Sequence, residues 1–190
     1  MTGCEDKKSD LSKEHVKTET SKSVKENNNT ETSNTVEKIY TFDLNDSYGI
    51  NHTITIENKD IAISNISESI ILLNFFSTWC PPCQGQLPYL ADLQKKYEGK
   101  LFIAGLLVND TPKKEDLQDF LKKYDIHYFV SISKKNDDFA KLAIDKLHLP
   151  KDLPIPLTVL FKDGHYYSHY EGAVPVEMLE HDIKNAMRKE

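Results

Sequence analysis

Cys80 and Cys83, two residues apart, are the side chains of this 190-residue chain whose types and spacing point most directly to chemistry. Residues 70–79 precede them, a short apolar run rich in β-branched and aromatic side chains that reads as a buried strand. Behind them, Leu87, Leu90, Ala91, Gln94 and Tyr97 fall at helical spacing. A strand therefore feeds a helix, with the cysteines at the junction. The first turn of a helix has backbone N–H groups without partners and about half a positive charge. A thiolate placed there is stabilised, and its thiol pKa falls below the free value of about 8.5. Cys80 is expected at the exposed mouth of the turn as the nucleophile. Cys83, a turn further in, is expected to be more buried and to resolve the mixed disulfide.

Other readings of the pair carry less. A structural zinc site takes more ligands than these two, and the remaining cysteine, Cys4, lies far off in a polar tail. His165 and His169 are four residues apart on a strand-like segment. They are expected on one face of a solvated edge, with no metal. A purely structural disulfide closing so small a loop removes little unfolded-state entropy. No metal and no cofactor beyond the redox-active cysteine pair is expected.

The stretch from Leu73 through Asn74, Phe75, Phe76, Ser77, Thr78 and Trp79 to Cys80, Pro81, Pro82 and Cys83 resembles the active site of thioredoxin-like proteins. It is most similar to the TlpA/ResA branch, membrane-tethered thiol–disulfide oxidoreductases of the bacterial envelope. The resemblance covers about residues 39–190. It implies an α/β, thioredoxin-like three-layer fold with a central mixed sheet, an N-terminal β-hairpin and a central α/β insertion. Residues 38–190 are expected to form this domain, and residues 1–37 a lipobox remnant and a disordered polar linker.

The resemblance also assigns roles. Cys80 and Cys83 are catalytic, with Trp79, Pro81 and Pro82 supporting substrate. Thioredoxin-like proteins carry a cis-proline facing the cysteines, eight residues before a turn glycine; Pro156 and Gly164 fit that offset, while Pro154 is expected trans. The backbone of Ile155 would pair with an incoming polypeptide as an added strand. Gly172 would border the site and leave room for substrate. Asn74 occupies the place of thioredoxin's buried Asp and is expected to be a hydrogen-bonded structural amide. The place of thioredoxin's nearby Lys falls on Gly105. Proton handling for Cys83 must then come from elsewhere, with Asp110 the candidate proton acceptor and Glu115 a weaker one. Pro88 lies inside the first helix at an offset that the fold tolerates.

The rest of the chain fits an α/β sheet. The segments 39–44 and 53–56 flank a turn-rich stretch and read as the hairpin. Residues 61–66 read as a connector into the active-site strand. Residues 101–108 form a second buried run, read as a central parallel strand. Leu117, Phe120, Leu121 and Tyr124 mark an amphipathic helix. A short strand over 128–132 follows, then a helix on Phe139, Leu142, Ala143 and Leu147. Residues 157–161 and 165–170 form a hairpin through Asp163 and Gly164. Pro175 opens a last helix with Val176, Leu179, Ile183 and Met187 inward.

Composition limits the partners. Net charge is −6 and 38% of residues are hydrophobic, enough for one domain with a tail. There is no basic, aromatic-interleaved stretch suited to nucleic acid. No apolar run reaches the ~18 residues of a membrane span. Residues 5–37 are rich in Lys, Glu, Ser, Thr and Asn and bury too little to order. Thr2, Gly3 and Cys4 resemble the end of a bacterial lipobox, which implies lipidation at Cys4 and a membrane anchor. The hydrophobic part of a signal peptide is not in the sequence.

The expected activity is extracytoplasmic reduction of protein disulfides, with the protein a monomer on the periplasmic side of the cell envelope. Recharging by a membrane carrier of the DsbD/CcdA type is implied by the resemblance, as are substrates such as apocytochrome c. A DsbA-like oxidase or isomerase is the alternative. A thiol peroxidase is a second one; Ser77 fits its pattern, but residues 70–79 contain no proline where that pattern needs one.

Overall fold

The computed structural model describes residues 38–188; Cys4 and the linker assigned to residues 1–37 lie outside the described residues. Among the described residues there are eight strands and four helices. In chain order they are β1 (Tyr40–Asn45), β2 (Asn51–Glu57), β3 (Asp60–Ile63), β4 (Ile70–Phe76), α1 (Pro81–Lys96), β5 (Leu101–Leu107), α2 (Lys114–Lys123), β6 (Phe129–Ser131), α3 (Asn136–Leu147), β7 (Leu157–Lys162), β8 (His165–Glu171) and α4 (Val176–Met187). They form one mixed sheet in the order β1-β2-β3-β8-β7-β4-β5-β6. β4 runs parallel to β5 and antiparallel to β7.

Every residue of β4 is buried, which explains why its sequence shows no alternation. Its side chains still divide between two faces. Ile71, Leu73 and Phe75 pack with α3 and the N-terminal strands, through residues such as Phe139, Ile54 and Ile61. Ile70, Leu72 and Phe76 pack with α1, α2 and α4, through Leu87, Leu117 and Ile183. Each large side chain buried this way contributes about 1.5–3 kcal/mol. The sheet is thus the middle of three layers.

Residues 61–66 are not a plain connector. Ile61 and Ile63 are buried while Ala62 is exposed, and this alternation makes β3 a strand paired with β2. Asn58, at φ +53, turns the chain between them, a conformation that Asn tolerates better than most residues. β3 meets β8 through the pair Asp60 and His165. The two ends of the strand order also approach each other. Asp46 forms a bridge with Ser131, and the Ile132 N–H donates to the Asn45 carbonyl at 2.8 Å.

β8 departs from expectation in one respect. Its pairing with β7 slips between Leu160 and Phe161, so Tyr166 faces Phe161 while Ser168 faces Leu160. The extra residue inverts the alternation beyond it. His165 and His169 therefore lie on opposite faces, not on one. His165 pairs with Asp60 at 3.0 Å, and His169 Nδ1 meets the Tyr166 hydroxyl at 2.7 Å.

The register explains Gly105. It lies beside Asn74 on β4, and a Cβ there would sit 3.0 Å from Phe76 Cε1 and 3.2 Å from Val130 Cγ2. Aromatic and β-branched side chains fill the space that a lysine stem would need.

Candidate active site

Cys80 and Cys83 are joined by a disulfide at the start of α1. Cys80 is the N-cap residue, with extended backbone angles, and Pro81 and Pro82 occupy the first helical positions. Proline is suited to this place, because its fixed φ matches the helix and its missing N–H would have had no partner. The Cys83 N–H points at Cys80 Sγ at 3.2 Å. In the reduced protein this N–H and the helix terminus would stabilise a Cys80 thiolate.

The expectation of an exposed Cys80 needs correction. Cys80 is 4% exposed and Cys83 fully buried, while Trp79 is 60% exposed and both prolines are at the surface. In the disulfide form the Ile155 carbonyl lies against Cys80 Sγ and both sulfurs are buried. The order of access between the two cysteines is nonetheless the expected one.

Three separate stretches meet at the disulfide. Ile155–Pro156 is a cis peptide bond, and the Ile155 carbonyl oxygen lies 3.9 Å from Cys80 Sγ. Among the described residues, neither the Ile155 N–H nor its carbonyl is taken by a backbone hydrogen bond. Gly172, at φ +72, donates its N–H to the Pro156 carbonyl at 2.8 Å. The left-handed angle favours glycine there. Trp79, Pro81, Pro82, Ile155, Pro156 and Gly172 thus surround one sulfur pair.

Below the site, Asn74 is fully buried and donates from Nδ2 to Thr158 Oγ1 at 2.9 Å. Its Oδ1 has no partner among the described residues. Gln86, one turn beyond Cys83, is 4% exposed, and neither atom of its amide has a partner. It lines a groove of about 440 Å³ between α1 and the start of α4, with Pro82, Tyr89, Ala173 and Val174. The sequence carried no sign of this. A glutamine on a helix normally reads as a solvated face.

Asp110 lies in the loop between β5 and α2. Its Oδ2 accepts from the Thr78 N–H at 2.6 Å and from Thr78 Oγ1 at 2.7 Å. Among the described residues it makes no hydrogen bond to either cysteine. Glu115 sits in the first turn of α2 and is exposed. The same loop holds the active-site segment in other ways. Ser77 Oγ donates to the Val108 carbonyl at 2.5 Å and Trp79 Nε1 to the Asn109 carbonyl at 3.3 Å. On the other side, Gln84 Nε2 donates to the Thr78 carbonyl at 2.6 Å, and Tyr124 Oη donates to Gln84 Oε1 at 2.8 Å. None of these bonds was legible in the sequence: Thr78 stood there only as part of the motif, Tyr124 as a core-facing helix residue, and Gln84 and Asn109 look like ordinary polar surface residues.

Comparison with known proteins gives a consistent picture. The family model described as Redoxin matches residues 43–163, more than half of the chain. A thiol–disulfide oxidoreductase, ResA, from Bacillus thuringiensis subsp. konkukian is 29% identical over 131 residues, covering 68% of this chain and 70% of its own. The ResA of Bacillus subtilis is 26% identical over 131 residues, covering 68% of each chain. Among solved structures, a thiol:disulfide interchange protein of the thioredoxin family from Chlorobium tepidum superposes with a TM-score of 0.58 at 18% identity, over 77% of this chain and 92% of that one. StoA from Bacillus subtilis gives 0.54 at 16% identity, over 75% and 96%. A helix-capping CxxC disulfide, a proline loop against its sulfur and these relatives agree: the chain belongs to the Redoxin family and is a ResA-like thiol–disulfide oxidoreductase.

Proposed function

We propose that this protein acts as a monomeric reductase of disulfides in other proteins outside the cytoplasm. The observation that carries the direction is the poverty of donors at Cys80. Pro81 and Pro82 have no N–H, and the Cys83 N–H is the backbone donor that reaches the sulfur. A thiolate with few donors is weakly stabilised, so the reduced form gives up its electrons more readily. Potentials in this superfamily run from about −270 mV to about −120 mV, a spread worth roughly 7 kcal/mol. This site belongs toward the reducing end.

The reaction transfers two electrons. The Cys80 thiolate attacks one sulfur of the substrate disulfide, forming a mixed disulfide and releasing a substrate thiolate. The Cys83 thiolate then attacks Cys80 Sγ, which forms the internal disulfide and releases the second substrate thiolate. The unpaired Ile155 backbone would hold the substrate as an added strand beside the sulfur. Trp79 and the groove at Gln86 would take the flanking residues. A membrane dithiol donor of the DsbD/CcdA type would return the electrons. Apocytochrome c is one suitable substrate. A lipid on Cys4 would keep the protein at the envelope membrane; among the described residues no helix is long and apolar enough to cross it.

Equilibration against glutathione tests the direction. A potential below about −200 mV agrees with a reductase, and one above about −150 mV would make the protein an oxidase. Cys83→Ser should trap mixed disulfides with envelope proteins, which names the substrates. If Cys80→Ser traps them instead, the roles of the two cysteines are reversed.

A further inference from the structure

We propose that Asp110 is a positioning residue that also sets the reactivity of Cys80: its carboxylate clamps Thr78 and places a negative charge that opposes the Cys80 thiolate. The inference rests on the exchange chemistry of the cysteine pair. It does not depend on which direction that exchange runs.

The geometry has two parts. Both Thr78 donors converge on one oxygen, Asp110 Oδ2. Thr78 is two residues before Cys80, so their Cα atoms are within about 7 Å. The Thr78 carbonyl is fixed from the opposite side by Gln84. The segment leading into the nucleophile is therefore pinned between the β5 loop and α1. Asp110 Oδ1 has no hydrogen bond among the described residues, and the carboxylate has no ion-pair partner there.

The second part is the charge. Of the segments that meet at the disulfide, the first turn of α1 and residues 153–156 and 172–174 carry no charged side chain. Residues 108–110 carry one, Asp110. Beyond it, the Asp137 carboxylate accepts from the Asn109 N–H at 2.8 Å; the cavity that Asn109 and Asp137 share with Leu153 also holds Lys141, Asp145, His148 and Lys151, and Glu177 lines the groove beside Pro82 and Gln86. Among the described residues, no lysine, arginine or histidine hydrogen-bonds to either cysteine or to the first turn of α1. A carboxylate near a forming thiolate disfavours it and raises the thiol pKa. The disulfide carries no such charge, so the carboxylate favours the oxidised state of this protein. It thereby makes the reduced state a stronger reductant.

Asp110→Asn separates the two parts. An Asn oxygen accepts both Thr78 hydrogen bonds, while its amide nitrogen takes the place of the unpartnered Oδ1. The clamp stays and the charge goes. The Cys80 pKa, read from the pH dependence of alkylation, should fall. Alkylation at pH 6 should then be about 3–10-fold faster, since thiolate fraction follows pKa in this range. The glutathione equilibrium should shift toward reduced protein by up to about tenfold, equivalent to roughly 30 mV. Asp110→Glu keeps the charge and should stay near wild type in potential.

Two results would overturn the proposal. An unchanged pKa and potential in Asp110→Asn, with only Asp110→Ala losing Tm, would leave a purely structural clip. A slowed resolution by Cys83 with no change at Cys80 would make Asp110 a proton acceptor instead. Should Asp110→Asn fail to fold, Asp110→Ser, which also removes the charge, takes its place: a fall in the Cys80 pKa is expected, and a pKa unchanged from wild type would overturn the proposal.

Discussion

Gln86 and Gln94 lie eight residues apart on α1, and the helix treats them in opposite ways. Gln94 stands in for a missing strand. β6 pairs with β5 only from Ala104 to Leu106, which leaves the start of the β5 edge open. The Gln94 amide fills it, donating from Nε2 to the Leu101 carbonyl at 2.5 Å and accepting from the Ile103 N–H at 2.7 Å. Gln86 is just as buried as a core residue, yet both of its amide atoms are without partners. Buried polar atoms left unpaired cost about 1–3 kcal/mol. The helix thus has one end that is fully bonded and one that is not.

The bonded end goes beyond Gln94. Glu180 of α4 accepts from Lys96, Lys184 and the Tyr97 hydroxyl, each at 2.7 Å. These donors, Lys184 and Lys96 foremost, hold its carboxyl down to about 2. Elsewhere on α4, Asp182 bonds Tyr170 of β8; burial and then this hydrogen bond push the Tyr170 hydroxyl up to about 12. The reactive end instead has the disulfide, the exposed Trp79 and Tyr89, and the groove at Gln86. Stability is concentrated where nothing must exchange. At the reactive end the Ile155 backbone and the Gln86 amide are open for a substrate to meet, while Ser47 Oγ and Tyr128 Oη are unpartnered elsewhere.

Substitutions at the two ends should therefore separate activity from stability. The largest effect is expected for Cys80→Ser, which should reduce insulin-disulfide turnover to the uncatalysed background. If appreciable turnover survived, the reactive end would lie elsewhere. At the opposite end, Glu180→Gln should leave turnover intact and alter acid unfolding. A carboxyl lowered from 4.5 to about 2 contributes stability above its unfolded pKa, and this is lost as pH falls through the folded one. Wild type should thus lose stability between about pH 4.5 and 2, and the variant should lack that component in urea titrations across the same range.

Gln94→Ala should destabilise by about 1–2 kcal/mol in urea unfolding, because it leaves a carbonyl and an N–H of β5 unpaired. Turnover should hardly change, and a large fall in turnover would blur the division between the ends. The smallest effect is the sharpest test. Gln86→Leu removes an unpaired amide and should stabilise the protein by about 1 kcal/mol. It should also raise KM for protein disulfides while sparing small disulfides. Destabilisation by Gln86→Leu would mean that the amide is satisfied in solution, and the contrast with Gln94 would fail.

Much of this arrangement could be read along the chain, because it depends on local order. The cysteines sit at a helix start because an apolar run ends there and two prolines follow, and neither feature needs a distant contact. The alternation of apolar runs with helical spacing gave the α/β class, and the resemblance implied its three layers. Local reading missed β3, a four-residue strand with the period-two pattern of Ile61 and Ile63, because a short segment is also compatible with a connector. It placed His165 and His169 on one face because a β-bulge depends on the partner strand.

What the sequence determined by itself was the pair of sulfurs, their place at a helix terminus and the reaction that follows, since spacing along one helix fixes all three. Tertiary structure decided how the sulfurs are tuned and approached. The 3.9 Å between Ile155 and Cys80, the Asp110 clamp on Thr78 and the groove that Gln86 lines with Ala173 and Val174 bring together residues that are distant along the chain. Only the packing of β5, β7 and α4 around α1 brings them within reach, and electrostatic and hydrogen-bond effects act over just those distances.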